Sequence, residues 1–91
     1  MKLTYRDSAL DDLVWVRIYY EKIFPEGGYN ASKRFEETKR LLLQQPLIDR
    51  SHDVAGLRIR RISKTPFSLI YRVAGEEIEV IRVRDSRSNP D

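Results

Sequence analysis

Cysteine is absent from this 91-residue chain, and histidine occurs once, as His52. Without cysteine the protein can form neither a disulfide nor a thiolate-bound metal centre, and a single histidine argues against a histidine-built metal site. No apolar run approaches the roughly 20 residues that a membrane-spanning helix needs, and the first residues lack the apolar stretch of a signal peptide. We therefore expect a cytoplasmic protein that has no metal, cofactor or membrane segment.

The composition is that of a globular protein, with 41% apolar and 34% charged residues. The length suits one domain with one modest core, so we predict a single domain over residues 1–91. Its last residues, 86–91, are polar, and we expect them to form a tail.

Arginine is concentrated in the second half of the chain. Eight of the nine basic residues after position 45 are Arg, against four of eight before it. Five basic residues and no acidic one lie between Leu57 and Gly75. Because a guanidinium binds carboxylates and phosphates through a planar fork, this cluster predicts an anionic or acidic partner, although a single arginine on a sheet is often only solvated.

Hydrophobic periodicity predicts one strand and two helices in the first half. The strand covers residues 2–6. The first helix follows an Asp7-Ser8 cap and runs to about Phe24, where a proline and two glycines end it. The second helix extends from an Asn30 cap to Gln45, and together the two helices predict an antiparallel hairpin.

Three short β-prone runs follow a loop over residues 46–56, which contains His52 as an exposed residue. In the first run, Arg58, Arg60 and Ile62 should point to one face and Leu57, Ile59 and Arg61 to the other. The last run is apolar on both faces, which favours an inner strand. The order β-α-α-β-β-β predicts an α+β domain in which a helical hairpin packs on a small, mainly antiparallel sheet.

The first helix is apolar on more than one side. One side should meet the sheet and another the second helix. Trp15 and Tyr19 form a further side, which either binds a partner or caps the protein's own core.

Three segments of the meander carry a family resemblance: Gly56–Arg58, Pro66–Val73 and Ile78–Arg87. With Arg34-Phe35 in the second helix, their order and spacing resemble the RelE/ParE superfamily of type II toxin–antitoxin toxins. The ParE, or plasmid stabilisation, branch is the most similar, and the resemblance covers nearly the whole chain.

The resemblance implies a bacterial toxin that inhibits growth and is neutralised by a cognate, ParD-like antitoxin folding on its surface, in a toxin–antitoxin hetero-oligomer. Members of the ParE branch are associated with poisoning DNA gyrase. Members of the RelE branch cut messenger RNA on the ribosome. Because the branches share a fold, the site residues must distinguish them.

The sequence departs from the RelE pattern at the residues that cut RNA. Arg58 and Arg60 match its basic pair, but Ser68 stands where an early arginine of the next strand is expected. The C-terminal Asp85-Ser86-Arg87 offers neither His nor Tyr, and arginine is a poor general acid or base. We therefore predict a ParE-like, non-enzymatic gyrase inhibitor without catalytic residues, with a RelE-like ribosome-dependent mRNA endoribonuclease as the alternative.

Two sets of candidate residues follow from this comparison. The candidate functional basic surface consists of Arg58, Arg60, Arg82, Arg84 and Arg87. The candidate antitoxin-binding residues are Trp15, Tyr19, Tyr20, Arg58, Arg60 and Arg82. A phosphate site would require Arg58, Arg60, Arg82 and Arg84 to converge on one concave face.

Overall fold

The structure is a computed structural model that describes residues 1–51 and 56–87. Its first half contains β1 (Lys2–Tyr5), α1 (Asp7–Ile18) and α2 (Gly28–Gln44). Its second half contains β2 (Arg58–Arg61), β3 (Phe67–Ala74) and β4 (Glu77–Asp85). This order confirms the predicted α+β domain.

The four strands form one sheet in the order β1-β4-β3-β2. β3 pairs antiparallel with β2 and β4, which confirms the meander, and β1 pairs parallel with β4. β4 is therefore an inner strand, as its apolar faces predicted. Gly75, in the turn between β3 and β4, has a φ of +62°, a conformation that glycine adopts without steric cost.

Both helices pack on the same face of the sheet, which we call the helix-side face. The helices contribute Ala9, Val16, Tyr19 and Leu42 to the core. The sheet contributes alternate residues of its strands and the residue after β2, namely Ile62, Phe67, Leu69, Tyr71, Ile78, Val80 and Val83. The opposite face, which we call the outer face, is covered by neither helix.

A β-bulge in β4 decides which residues reach the core. Tyr71 pairs with Val80, but Ile70 pairs with Arg82, so Ile81 is an extra residue. Strict alternation from Val80 would place Arg82 on the helix-side face. The bulge instead turns Val83 into the core, where it is 4% exposed, and Arg82 to the outer face.

Side chains of α1 continue the sheet where β1 ends. The last bond at that edge is donated by the Arg6 N–H to the carbonyl oxygen of Val80 (2.9 Å). Beyond it, the Ser8 hydroxyl donates to the Ile81 carbonyl oxygen (2.6 Å), and the Val83 N–H donates to Asp12 Oδ2 (2.8 Å). α1 is thereby fixed against the bulged part of β4.

The predicted helix caps were wrong. Arg6, not Asp7 or Ser8, precedes α1 as its cap residue and makes no side-chain capping bond, because the Ser8 hydroxyl is used on β4. α2 begins at Gly28, two residues before the predicted Asn30 cap.

The predicted first helix also changes character near its end. α1 ends at Ile18, and a π-helical turn (Tyr19–Ile23) and a 3₁₀ turn (Pro25–Gly27) lead to α2. The π-helical turn lets two consecutive tyrosines contact one core ring, since the Tyr19 and Tyr20 ring centroids lie 5.6 and 6.0 Å from that of Phe67.

The predicted tail is partly held to the sheet. The Ser86 N–H and hydroxyl both donate to the Pro66 carbonyl oxygen at 2.7 Å. Tail residues 88–91 and His52 lie outside the described residues. Neither helix in the described ranges is long and apolar enough to cross a bilayer.

Candidate functional site

The five arginines of the predicted basic surface do not form one surface. Residues directly opposite each other in neighbouring strands share a face of the sheet. Arg58 and Arg60 pair with the core residues Tyr71 and Leu69, and therefore lie on the helix-side face. Ser68 and Ile70 lie on the outer face, and so do the residues opposite them on β4, Arg84 and Arg82. A single concave phosphate site containing all four arginines is therefore not formed.

Arg58 and Arg60 bind the segment that connects α2 to β2. Arg60 Nε donates to Asp49 Oδ2 at 2.6 Å, and Arg58 donates to the Asp49 main-chain carbonyl oxygen. The Tyr71 hydroxyl donates to the same Asp49 Oδ2 at 2.6 Å. The side chains of Arg60 and Asp49 are only 16% and 21% exposed, so this ion pair is largely withdrawn from solvent. Arg58 and Arg60 thus hold the segment between α2 and β2 against the sheet.

Tyr71 is fully buried beside these arginines. Burial raises the pKa of Tyr71 well above its ordinary value, and the hydrogen bond to Asp49 raises it further. The phenol therefore stays protonated, bound to Asp49 and out of reach of a ligand. Sequence reasoning missed Asp49, because nothing in a loop sequence shows which strand the loop will contact.

Arg87 lies on the helix side, near the π-helical turn. Its Nη2 and Nε donate to the two Asp85 carboxylate oxygens at 2.9 and 3.1 Å, and its Nη1 donates to the Tyr19 hydroxyl at 3.0 Å. The guanidinium also stacks over the Tyr19 ring, 4.8 Å from its centroid. The hydrogen bond from Arg87 is the main reason that the pKa of Asp85 lies below its ordinary value. Asp85 and Arg87 therefore neutralise each other.

Arg82 binds Asp12 of α1 through two nitrogen atoms of its guanidinium group. Its Nε and Nη2 donate to Asp12 Oδ2 and Oδ1 at 2.7 and 3.1 Å. This pairing raises the pKa of Arg82, chiefly through the hydrogen bond to Asp12. Asp12 consequently accepts bonds from the Arg82 side chain and from the Val83 backbone at the bulge.

One end of the outer face carries a basic and apolar patch, which we call the outer corner. It consists of two cross-strand rows, Arg61-Ser68-Arg84 and Ile59-Ile70-Arg82. Arg61 is exposed and makes no hydrogen bond or ion pair with the described residues, and Ile59 is 40% exposed. Sequence reasoning assigned Arg61 and Ile59 to this face by alternation, but did not single them out as site residues.

The other end of the outer face is internally neutralised. Glu79 binds Arg72 at 2.8 Å and Arg6 at 3.2 Å. The hydrogen bond from Arg72 is the largest of the effects that lower the pKa of Glu79. Thr4 donates to Glu77 beside this group at 2.9 Å. At this end of the outer face, the charges of Arg6, Arg72 and Glu79 are thus paired within the fold.

The aromatic candidates on the first helix have different surroundings. Trp15 is 45% exposed, Tyr20 is half-buried, and Tyr19 belongs to the core at 8% exposure. Of the two alternatives for this side, Tyr19 caps the protein's own core, whereas Trp15 is exposed.

α1 also has an exposed apolar stripe. Leu10, Val14 and Ile18 are 47%, 58% and 42% exposed. A separate groove of about 410 Å³ lies between α1 and α2. Half-buried apolar residues line it, including Leu13, Tyr20 and Phe35. The stripe faces away from the core, so α1 is apolar on its outward side as well.

Within residues 1–51 and 56–87, no group of three His, Cys, Asp or Glu side chains is placed to hold a metal ion. The arginines that match the basic pair of RelE-type enzymes are bound by Asp49. What the described residues offer is therefore an apolar helix stripe and a cationic outer corner, both suited to binding another protein.

The comparison with known families agrees with the fold. Residues 3–90 match the family described as the ParE toxin of the type II toxin–antitoxin system parDE. The chain belongs to the ParE toxin family. The resemblance seen in the three meander segments is thus confirmed.

Two solved structures resemble this ParE family member along its length. A chain described as "Chromosomal ParDE TA system from P. aeruginosa" is 30% identical, with a TM-score of 0.70, and the match covers 93% of this chain and 95% of that one. A "YoeB/ParE toxin from Agrobacterium tumefaciens" is 20% identical, with a TM-score of 0.66 and coverage of 93% and 98%, and supports the fold alone. No curated protein matches the chain.

Proposed function

We propose that this ParE family member inhibits bacterial growth by binding and poisoning DNA gyrase, and that a cognate antitoxin neutralises it. The observation that carries the proposal is the engagement of Arg58 and Arg60 by Asp49 on the helix-side face. The basic pair that would hold RNA in a RelE-type enzyme is here part of the fold. A binding protein needs no such pair, because it acts through surface complementarity.

Cleavage of RNA also needs groups that move protons at the reacting oxygens. Tyr71 is buried and bonded to Asp49, and Arg87 is bonded to Asp85 and Tyr19. Ser68 stands between Arg61 and Arg84, where a hydroxyl can donate a hydrogen bond but adds no positive charge. These placements support gyrase inhibition over the alternative of ribosome-dependent mRNA cleavage.

The target is tested by two assays on one preparation of purified protein. We expect inhibition of DNA gyrase in a supercoiling assay, with accumulation of gyrase-cleaved DNA, and intact messenger RNA in a ribosome-bound cleavage assay. Messenger RNA cut in the ribosomal A site, with gyrase activity unchanged, would contradict the proposal.

The antitoxin part of the proposal is supported by the outward side of α1. Three aliphatic side chains and Trp15 are exposed together on one short helix, and exposed apolar patches of this kind mark protein interfaces. The family description names a type II toxin–antitoxin system, which pairs a toxin with an antitoxin. An antitoxin segment that folds on the toxin would cover these side chains in a hetero-oligomer, in the cytoplasm that the sequence predicts.

Trp15→Ala tests this surface. We expect the affinity for the antitoxin to fall by more than about 1 kcal/mol, because large aromatic side chains are frequent hot spots of interfaces. Tyr29→Ala is the matched control, since Tyr29 is an exposed aromatic residue on α2 at 74% exposure. Calorimetry gives the affinity, and circular dichroism checks that both variants fold. An unchanged affinity of Trp15→Ala would remove Trp15 from the interface.

A further inference from the structure

The exposed apolar residues of α1 are evenly spaced along the helix. Leu10, Val14 and Ile18 follow one another at intervals of four residues, so they form one stripe about 12 Å long. We call these three residues the α1 stripe. The buried residues of the helix, Ala9 and Val16, lie on its opposite side. Val14, at the centre of the α1 stripe, is its most exposed member at 58%, so the stripe is a convex apolar surface rather than a pocket.

Opposite charges lie beyond the two ends of the α1 stripe. Asp7 is seven residues before Val14, which is nearly two helical turns and returns the chain to almost the same side of the helix. Lys22, in the π-helical turn, is eight residues after Val14. Both side chains are exposed, and neither makes a hydrogen bond or ion pair with the described residues. The two unpaired charges are therefore at nearly equal distances from the centre of the stripe.

This arrangement of apolar and charged residues is complementary to itself. A two-fold axis relates two copies of a chain so that every contact occurs twice. When the axis passes beside Val14 and the two helices run antiparallel, Val14 meets Val14 of the second copy, and Leu10 meets Ile18. Asp7 then lies opposite Lys22 at both ends, because the two residues are displaced from Val14 by similar distances in opposite directions. One geometry thus covers the apolar side chains and pairs both charges.

The charges favour a second copy of the chain over a lipid surface. A helix that lies in a membrane interface carries Lys and Arg beside its apolar face, whereas the first turns of α1 carry the exposed carboxylates of Asp7 and Asp11. Near the other end, Arg17 binds Glu21 at 3.0 Å, so Lys22 supplies the positive charge there. A helix with one acidic end and one basic end is matched by an antiparallel copy of itself.

The size of this surface sets the strength of the contact. From Asp7 to Lys22 it is about 24 Å long, and a helix with its side chains is about 10 Å wide. A standard interface covers about a tenth of a small protein's surface, which is about 600 Å² for a chain with 6204 Å² of accessible surface. One helix face is smaller than that, so we expect reversible association with a dissociation constant on the order of 10 µM.

We infer that two copies of this chain associate through the α1 stripe, with their α1 helices antiparallel, in a dimer that separates on dilution. Val14 contacts its own equivalent at the two-fold axis, and Leu10 contacts Ile18 on either side of it. Asp7 and Lys22 of different copies form an ion pair at each end. The inference goes beyond the proposed function and does not rest on it, because the dimer contains the toxin alone.

Analytical ultracentrifugation of the purified full-length toxin tests the association. We expect the wild type to change from monomer to dimer between about 1 and 100 µM. Val14→Glu should weaken the dimer about tenfold or more, because it places two carboxylates beside each other at the two-fold axis. Leu41→Glu is the matched control, since Leu41 is an exposed aliphatic residue of α2, and should change the dissociation constant less than about twofold. Circular dichroism checks that each variant is folded.

Two results of this experiment would overturn the inference. The first is a wild type that remains monomeric up to about 500 µM, which would leave the α1 stripe to a partner other than a second copy. The second is a dimer that Val14→Glu and Leu41→Glu weaken equally, which would place the contact elsewhere on the chain.

A charge swap tests the antiparallel geometry. Asp7→Lys places a lysine opposite Lys22 at both ends, so we expect the dimer to weaken about threefold to tenfold. The double variant Asp7→Lys with Lys22→Asp restores opposite charges at both ends, and its dissociation constant should return to within about twofold of the wild type. A double variant that dimerises no better than Asp7→Lys would overturn the antiparallel arrangement.

These results are distinguishable from those for the proposed function. A toxin that inhibits gyrase and binds its antitoxin but stays monomeric overturns the inference alone. A toxin that dimerises through the α1 stripe without inhibiting gyrase supports the inference and contradicts the proposed function.

Discussion

Arg60 and Arg61 are neighbours in β2, but they lie on opposite faces of the sheet and have different surroundings. Arg60 binds Asp49 in a pair that is largely withdrawn from solvent. Arg61 lies on the outer face without a polar partner among the described residues. A cluster of arginines in a sequence therefore combines two populations, one that holds the fold together and one that is available to a partner. Four substitutions test this division, from the largest expected effect to the smallest.

Asp49→Ala should cause the largest loss of stability. It removes the acceptor of both Arg60 and Tyr71 and leaves a half-buried guanidinium without its counter-ion. We expect the free energy of unfolding in urea to fall by about 2 to 3 kcal/mol. Arg61→Ala changes the neighbour of Arg60 in β2, and should alter the free energy of unfolding by less than about 0.5 kcal/mol. A loss of similar size in both variants would contradict the division between a structural Arg60 and an available Arg61.

Asp12→Ala should have the second largest effect. Asp12 accepts bonds from Arg82 and from the Val83 N–H at the bulge, so its loss leaves a backbone donor unpaired. We expect a destabilisation of about 1 to 2 kcal/mol. The neighbouring Asp11 is exposed and provides the control, since Asp11→Ala should be nearly neutral. Hydrogen exchange of the Val83 amide, faster in Asp12→Ala alone, would localise the effect to the bulge.

Asp85→Asn should have a smaller effect that depends on pH. The pKa of Asp85 is lowered from its ordinary 3.8 in the folded protein, so its contribution to stability is present above that value and is lost as the pH falls through the folded pKa. We expect the variant to be less stable than wild type by less than about 1 kcal/mol at neutral pH, and equal to it once the carboxyl is protonated. A difference that persists in acid would show that the ion pair with Arg87 is not its source.

Arg6→Ala should have the smallest effect. The Arg6 side chain is 52% exposed, and Glu79 keeps Arg72 as its partner. We expect no measurable change in urea unfolding, because exposed ion pairs contribute little. A clear loss of stability would mean that the paired end of the outer face holds the fold more strongly than its exposure indicates.

Local patterns were enough to predict most of the fold. Alternation placed Arg58 and Arg60 on one face and Ile59 and Arg61 on the other, and the apolar run of β4 identified an inner strand. The helix caps were wrong because the Ser8 hydroxyl is used on β4, a contact 73 residues away in the chain. Local capping rules do not include such distant partners.

The candidate site could be predicted only in part. The resemblance identified the family, but the sequence left open whether Trp15 and Tyr19 face a partner or the core. Three features depend on how the elements pack: the bulge at Ile81, the contact of Asp49 with Arg60, and the groove between α1 and α2. None of them has a local sequence signal, because each is fixed by contacts between distant segments.

The most direct test measures stability and binding together for Arg60→Ala and Arg61→Ala. Each variant is unfolded in urea and titrated with the antitoxin at a temperature where both are folded. The division of the arginines predicts that Arg60→Ala loses stability with little change in affinity, whereas Arg61→Ala keeps its stability and binds the antitoxin less tightly. The opposite pattern, with stability lost in Arg61→Ala and affinity lost in Arg60→Ala alone, would contradict it.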